Sequence, residues 1–143
     1  MLSGEVEVFS QGDIIKRVLA SSSIPIMFSP QEMDGHLYVD GGIGMNLPAS
    51  PLKDHCDLIF GVNLVPDITI DKEEVSSMIK QTGRIFDMIV LNNIKPQLEI
   101  CDLEITSKEL SRFGRFDFSR MTEMFDLGYD STMELQDEIH DLV

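Results

Sequence analysis

The chain has 143 residues, 43% of them hydrophobic and 25% charged, a balance typical of a globular protein rather than a disordered one. Its 25 acidic residues against 11 basic ones give a formal net charge of −14. This argues against a nucleic-acid partner, because phosphate contacts need clustered lysines and arginines. No segment approaches the roughly 20 consecutive apolar residues of a membrane-spanning helix.

The first residues predict a strand followed by a helix. Apolar and charged residues alternate over 5–9, as in a short strand. The helix predicted over 12–22 has its apolar residues at helical spacing on one face, and these are Ile14, Ile15, Val18 and Leu19. Ile24-Pro25 follows the end of this helix.

A hairpin is predicted next, because Asp34-Gly35 is a strong turn signal between the segments 32–34 and 36–39. Its second arm leads into Asp40-Gly41-Gly42, so we expect Asp40 where a strand ends. The two glycines are expected to adopt conformations closed to other residues and to permit close approaches. Taken alone, such a segment is more often a turn than a catalytic site.

The remaining elements alternate between helix and strand. We expect a helical turn over 48–53, an apolar strand over 58–65, a helix from Glu73 to about Asn93, a strand over 98–105 and a helix over 119–142. Pro96 is expected to end the long helix. This order predicts one α/β domain over 1–143, with helices on both faces of a sheet in a three-layer α/β/α sandwich.

Four segments at matching spacing carry a family resemblance. They are Ala-Ser-Ser-Ser-Ile-Pro-Ile-Met-Phe over 20–28, Val-Asp-Gly-Gly over 39–42, Asn-Leu-Pro over 46–48 and the apolar run 58–65. Together they resemble the patatin-like phospholipase family, and the resemblance extends over nearly the whole chain. It implies a lipid acyl hydrolase with a Ser-Asp dyad and no catalytic histidine. In that reading Asp40 is the general base, supported by Gly41, Gly42 and Asn46.

The chain also departs from the family pattern. No serine lies in a Gly-x-Ser-x-Gly elbow, and no glycine-rich oxyanion segment precedes Asp40. The resemblance therefore implies the C-terminal part of a patatin-like domain, a partial patatin-like fold that is inactive by itself. The serines at 21, 22 and 23 lack the elbow glycines and are expected to cap a helix end rather than to attack a substrate.

Other chemistry is not expected. The histidines at 36, 55 and 140 are too scattered for a metal site, and we predict neither a metal nor a cofactor. No Gly-Lys-Ser or Gly-Lys-Thr follows the glycines near Asp40, so nucleotide binding is not expected. Cys56 and Cys101 have no metal spacing, and two buried free thiols are favoured over a disulfide.

Two functions stay open. The first is the Ser-Asp hydrolase acting on a lipid or another ester, and the alternative is a non-catalytic remnant or interaction module that keeps the half-fold. Without the elbow region, sheet edges would be exposed, so the expected partner is an N-terminal half of the domain or a second copy. A cytoplasmic location is expected, with transient membrane association and a signal on a preceding segment left open.

Overall fold

A computed structural model describes residues 3–65, 75–114 and 117–143. The chain divides into two compact units, one ending at Asn46 and the other beginning at Leu47. Both units combine helices with small sheets, so the predicted α/β class is confirmed. The three-layer arrangement and the single domain over 1–143 stay predictions.

The first unit contains helix α1 (Ile14–Ser21), strands β1 (Gln31–Met33) and β2 (His36–Tyr38) and the short helix α2 (Gly42–Met45). Asp13 caps α1, because its Oδ1 accepts hydrogen bonds from the N–H groups of Ile15 and Lys16. The predicted helix is thus confirmed with slightly shorter ends.

The hairpin is confirmed as well. β1 and β2 are antiparallel, with Met33 opposite His36 and Gln31 opposite Tyr38. Asp34 and Gly35 have φ angles of 50° and 79°, which are the left-handed conformations that a two-residue hairpin turn requires. The strand predicted over 5–9 is wrong, since this segment has no sheet partner among the described residues and alternation cannot make a strand without a hydrogen-bonded neighbour.

The second unit contains β3 (Phe60–Val62), α3 (Met78–Leu98), β4 (Leu103–Ile105), α4 (Met121–Met133) and α5 (Gln136–Leu142). Short 3-10 helices cover Ser50–Leu52, Lys108–Arg112 and Phe118–Arg120. β3 and β4 pair in parallel, with Phe60 opposite Leu103 and Val62 opposite Ile105, and α3 is the crossover between them. Both strands are shorter than predicted.

The core of this unit forms around α3. Its buried apolar side chains are Ala49, Ile59, Val90, Leu91, Ile94 and Leu103. Ile94 is only 2% exposed and is the largest fully buried side chain among the described residues. Packing of α3 against the strands therefore holds the second unit together.

The bounds of α3 differ from the prediction. The expected start at Glu73 lies outside the described residues, and α3 begins at Met78 with Ser77 as its N-cap. The expectation that Pro96 ends the helix is wrong, since α3 continues to Leu98. Pro96 lies in the last turn, where its missing N–H removes a single helical hydrogen bond and the buried contacts of Ile94 hold the backbone.

The C-terminal helix predicted over 119–142 is two helices. Leu135 has φ −97° and ψ 9°, and its N–H donates to the carbonyl of Thr132 rather than continuing the α-helical pattern. No glycine or proline stands at this break, so the sequence contains no signal for it.

Both cysteines are free, as predicted. The expectation that both are buried is wrong, since Cys56 is exposed and Cys101 is half-buried. The Cys101 thiol donates to the carbonyl of Gln97 at 3.5 Å, and partial burial, followed by the charges of Asp102 and Glu104, raises its pKa. Cys101 therefore stays a protonated structural thiol.

Candidate functional site

Asp40 lies two residues after the end of β2, as the sequence predicts. Its backbone N–H donates to the carbonyl of Ser23 at 2.9 Å. This hydrogen bond joins the loop after the hairpin to the segment that follows α1. The Asp40 backbone is therefore positioned by two elements of the first unit, the hairpin and the end of α1.

The carboxylate of Asp40 is held by the loop that follows it. Oδ1 accepts a hydrogen bond from the N–H of Gly42 at 2.7 Å, and the residue is half-buried. A backbone N–H bonded to a carboxylate is a charge-assisted contact and fixes the orientation of the acid group. An ionised carboxylate has about four lone-pair sites, so one such bond leaves it able to accept a proton elsewhere.

The two glycines act differently from the prediction. Gly41 has φ −68° and ψ −21°, and Gly42 begins α2, so neither uses a conformation closed to other residues. The need for glycine at Gly42 is steric. A Cβ placed there would lie 2.7 Å from Asn46 Oδ1 and 2.9 Å from Asp40 Oδ1, whereas a Cβ on Gly41 would meet only Ser21 Oγ at 3.6 Å.

Asn46 lies immediately after α2 and is exposed. Its Oδ1 is among the atoms nearest to a Cβ built at Gly42, beside Oδ1 of Asp40. The structure therefore brings Asp40, Gly42 and Asn46 together around one position. The role of Asn46 in supporting the loop stays a prediction.

The serine run caps α1, as predicted. Ser22 is the C-cap residue, and its N–H donates to the carbonyl of Val18 at 2.9 Å. The Ser23 hydroxyl donates to the carbonyl of Leu19 at 2.7 Å, and Ser23 is only 4% exposed. These contacts satisfy polar groups at the helix end, so Ser22 and Ser23 have structural roles.

The apolar face of α1 is exposed. Ile14, Ile15, Val18 and Leu19 are exposed by 73%, 69%, 56% and 55%. In the following turn Ile26 is 91% exposed and has a φ of 75°, a conformation rare for a β-branched residue. The sequence predicted that the apolar residues of α1 share one face. The exposed apolar surface, however, was expected on a sheet and not on this helix.

Tyr38, at the end of β2, is unsuited to act as a base. Its hydroxyl donates to Glu7 Oε2 at 2.6 Å, and this hydrogen bond to a carboxylate raises the pKa of the phenol. The His36 ring packs edge-on against Tyr38, with the ring centroids 6.4 Å apart.

No group of three or more candidate metal ligands occurs among the described residues. Within the same part of the chain, no helix has the length and apolarity needed to cross a membrane.

Comparison with protein-family models finds a match that includes the Asp40 segment. Residues 3–53 match the family model described as patatin-like phospholipase, and this range includes Asp40, Gly41, Gly42 and Asn46. The match is shorter than the near-complete resemblance expected from the sequence.

Three curated relatives are similar over a longer stretch. They are uncharacterised NTE family proteins, one from Mycobacterium bovis and two from strains of Mycobacterium tuberculosis. Each is 31% identical over 100 residues, which cover 62% of this chain and 27% of the relative. The chain thus matches about a quarter of the length of these relatives.

Proposed function

We propose that the chain belongs to the patatin-like phospholipase family, whose model residues 3–53 match, and that it contributes the general base to a lipid acyl hydrolase with a Ser-Asp dyad. Family membership supports a hydrolase acting on lipids. The finer assignment rests on one observation, the half-buried Asp40 carboxylate held at a strand end by the N–H of Gly42. The substrate is a carboxyl ester of a lipid.

In the proposed reaction, a serine hydroxyl attacks the ester carbonyl while its proton passes to the Asp40 carboxylate. The tetrahedral intermediate collapses to an acyl-serine, and the proton leaves with the alcohol. Water then attacks the acyl-serine, giving up a proton to Asp40, which returns it to the serine as the acid is released. The bond from Gly42 keeps the carboxylate orientation constant through these steps.

The nucleophile must come from residues other than these 143, because no Gly-x-Ser-x-Gly occurs in the sequence. We propose that the segment carrying it packs on the exposed face of α1, whose apolar side chains need a partner. Self-association is the alternative occupant of this face. If light scattering showed the 143-residue chain to be a stable, monodisperse monomer, this would argue against both occupants of the face.

The test is labelling with a fluorophosphonate, which adds covalently to activated serines. The intact mass of the natural gene product is measured before and after treatment. A product larger than 16.1 kDa that gains one adduct is the expected result. An unlabelled 16.1 kDa species would refute the hydrolase and favour the interaction module.

A matched pair of variants then tests Asp40. In Asp40→Asn the side chain keeps an oxygen that can accept from Gly42, so the fold is preserved while the base is lost. Asp34→Asn is the control, because Asp34 lies in the hairpin turn at φ 50°, a conformation that asparagine also tolerates. We expect labelling to fall by about 100-fold or more in Asp40→Asn, the range of general-base catalysis, and to stay unchanged in Asp34→Asn.

A further inference from the structure

The second unit contains a cavity of its own. It opens at the carboxyl ends of β3 and β4, the edge at which ligands bind in parallel sheets, and it is closed by side chains of α3 and α4. Its volume is about 650 Å³. This is within the roughly 300–1,000 Å³ of pockets that hold small molecules.

The lining is mainly apolar. Side chains that contribute include Leu64 from the segment after β3, Leu91 from α3, Ile105 from β4 and Leu127 from α4. Leu64 is 69% exposed, whereas Leu91 is 7% exposed. The cavity therefore runs from an open apolar rim to a buried apolar wall, as an elongated apolar ligand requires.

The backbone at its floor is already satisfied. Asn63, only 7% exposed, donates its N–H to the carbonyl of Ile105 and its side-chain NH2 to Glu104 Oε1, at 2.9 and 2.8 Å. Its Oδ1 accepts from the N–H of Val65, and its carbonyl accepts from the Thr106 hydroxyl. A ligand here does not have to satisfy these groups.

Among the described residues of the lining, the charged groups lie on α3. Arg84 is the one cationic side chain of that set, and Asp87, one turn further on, is its one carboxylate. A guanidinium has five donors, so Arg84 can serve Asp87 and a second anion together. Its planar geometry suits a carboxylate in particular.

We propose that this cavity binds a long-chain fatty acid, with the alkyl chain against the apolar wall and the carboxylate at Arg84. The apolar lining accounts for the chain, and the charge of Arg84 accounts for the anionic head. The proposal is independent of the Asp40 chemistry, since no lining residue lies in the first unit. A negative result for one proposal therefore does not contradict the other.

The first test fills the cavity. Gly128 lines it from α4, and a Cβ built there has no neighbour within 4 Å, so Gly128→Leu places a side chain in the cavity without a clash at Cβ. Gly83→Leu is the matched control, because Gly83 is a helical glycine with equally open space but is not part of the lining. Binding is followed by displacement of a fluorescent fatty acid by oleate from the natural, full-length protein.

We expect Gly128→Leu to weaken oleate binding about tenfold or more, the loss that follows when buried apolar contacts are replaced by a clash. Gly83→Leu should bind as the wild type does. Equal binding by wild type and Gly128→Leu, or no saturable binding by the wild type, would overturn the proposal.

The second test separates head from chain. Arg84→Gln should weaken oleate binding about ten- to a hundredfold, the loss of a charge-assisted hydrogen bond, and leave oleyl alcohol binding unchanged. Lys53→Gln, which makes the same charge change at an exposed residue outside the lining, is the control. Equal losses for oleate and oleyl alcohol, or none for oleate, would refute the role of Arg84.

Discussion

Gly42→Ala is the sharpest test of how the Asp40 loop is built. Gly42 begins α2, where alanine is compatible with the backbone and favours the helix by at most about 1 kcal/mol. The added Cβ, however, would lie 2.9 Å from Asp40 Oδ1 and 2.7 Å from Asn46 Oδ1. Both side chains must therefore move to admit it.

The magnitude follows from the contact that is lost. Moving Asp40 Oδ1 breaks its 2.7 Å hydrogen bond from the N–H of Gly42, and a hydrogen bond to a charged group contributes about 1.5–3 kcal/mol. After the helix gain of about 1 kcal/mol, Gly42→Ala should destabilise the protein by about 0.5–2 kcal/mol. Gly83→Ala has open space around its Cβ and should stabilise it by about 1 kcal/mol instead.

Urea unfolding of the two variants measures this contrast, and the rate of fluorophosphonate labelling measures the effect on the site. Gly42→Ala should slow labelling while the protein remains folded, since the carboxylate is displaced. If Gly42→Ala raises stability as much as Gly83→Ala does and labels at the wild-type rate, the steric account of the Asp-Gly-Gly segment is wrong.

Three further predictions concern single residues. Asn46→Ala should slow labelling without lowering the unfolding midpoint, because Asn46 is exposed and its oxygen lies beside Asp40. Ile26→Gly should raise the free energy of unfolding by about 1 kcal/mol, since it relieves about 1–3 kcal/mol of strain at φ 75° and adds about 0.5–1 kcal/mol of chain entropy cost. An unchanged or lowered free energy would contradict it. Arg120 donates hydrogen bonds to the Glu123 carboxylate and lowers its pKa from the ordinary 4.5. The pair therefore stabilises the fold above pH 4.5. This contribution is lost as the pH falls through the lowered pKa of Glu123. Glu123→Gln should therefore lower Tm at pH 7, with the difference from wild type shrinking in acid and in high salt, and a pH-independent difference would exclude this origin.

The sequence by itself determined the features that depend on neighbouring residues. Asp34-Gly35 specified the hairpin, because few residue pairs accept two consecutive positive φ angles. Apolar spacing specified α1, and Asp13 sets its start through its own side chain. The position of Asp40 after a strand followed from the same local order. The family resemblance could also be recognised, since the segments that carry it are short and contiguous, and residues 3–53 match the family model.

Tertiary structure decided what depends on contacts between distant residues. The segment 5–9 has the alternation of a strand, but it has no sheet partner within the part of the chain that the structure describes, so it is not a strand there. Pro96 remains helical because the core holds α3 through Ile94. The reason Gly42 must be glycine is the position of two side-chain oxygens, which no pattern of glycines reveals. The cavity beside Arg84 likewise exists only because two strands and two helices meet there, and a local pattern carries no information about such a meeting.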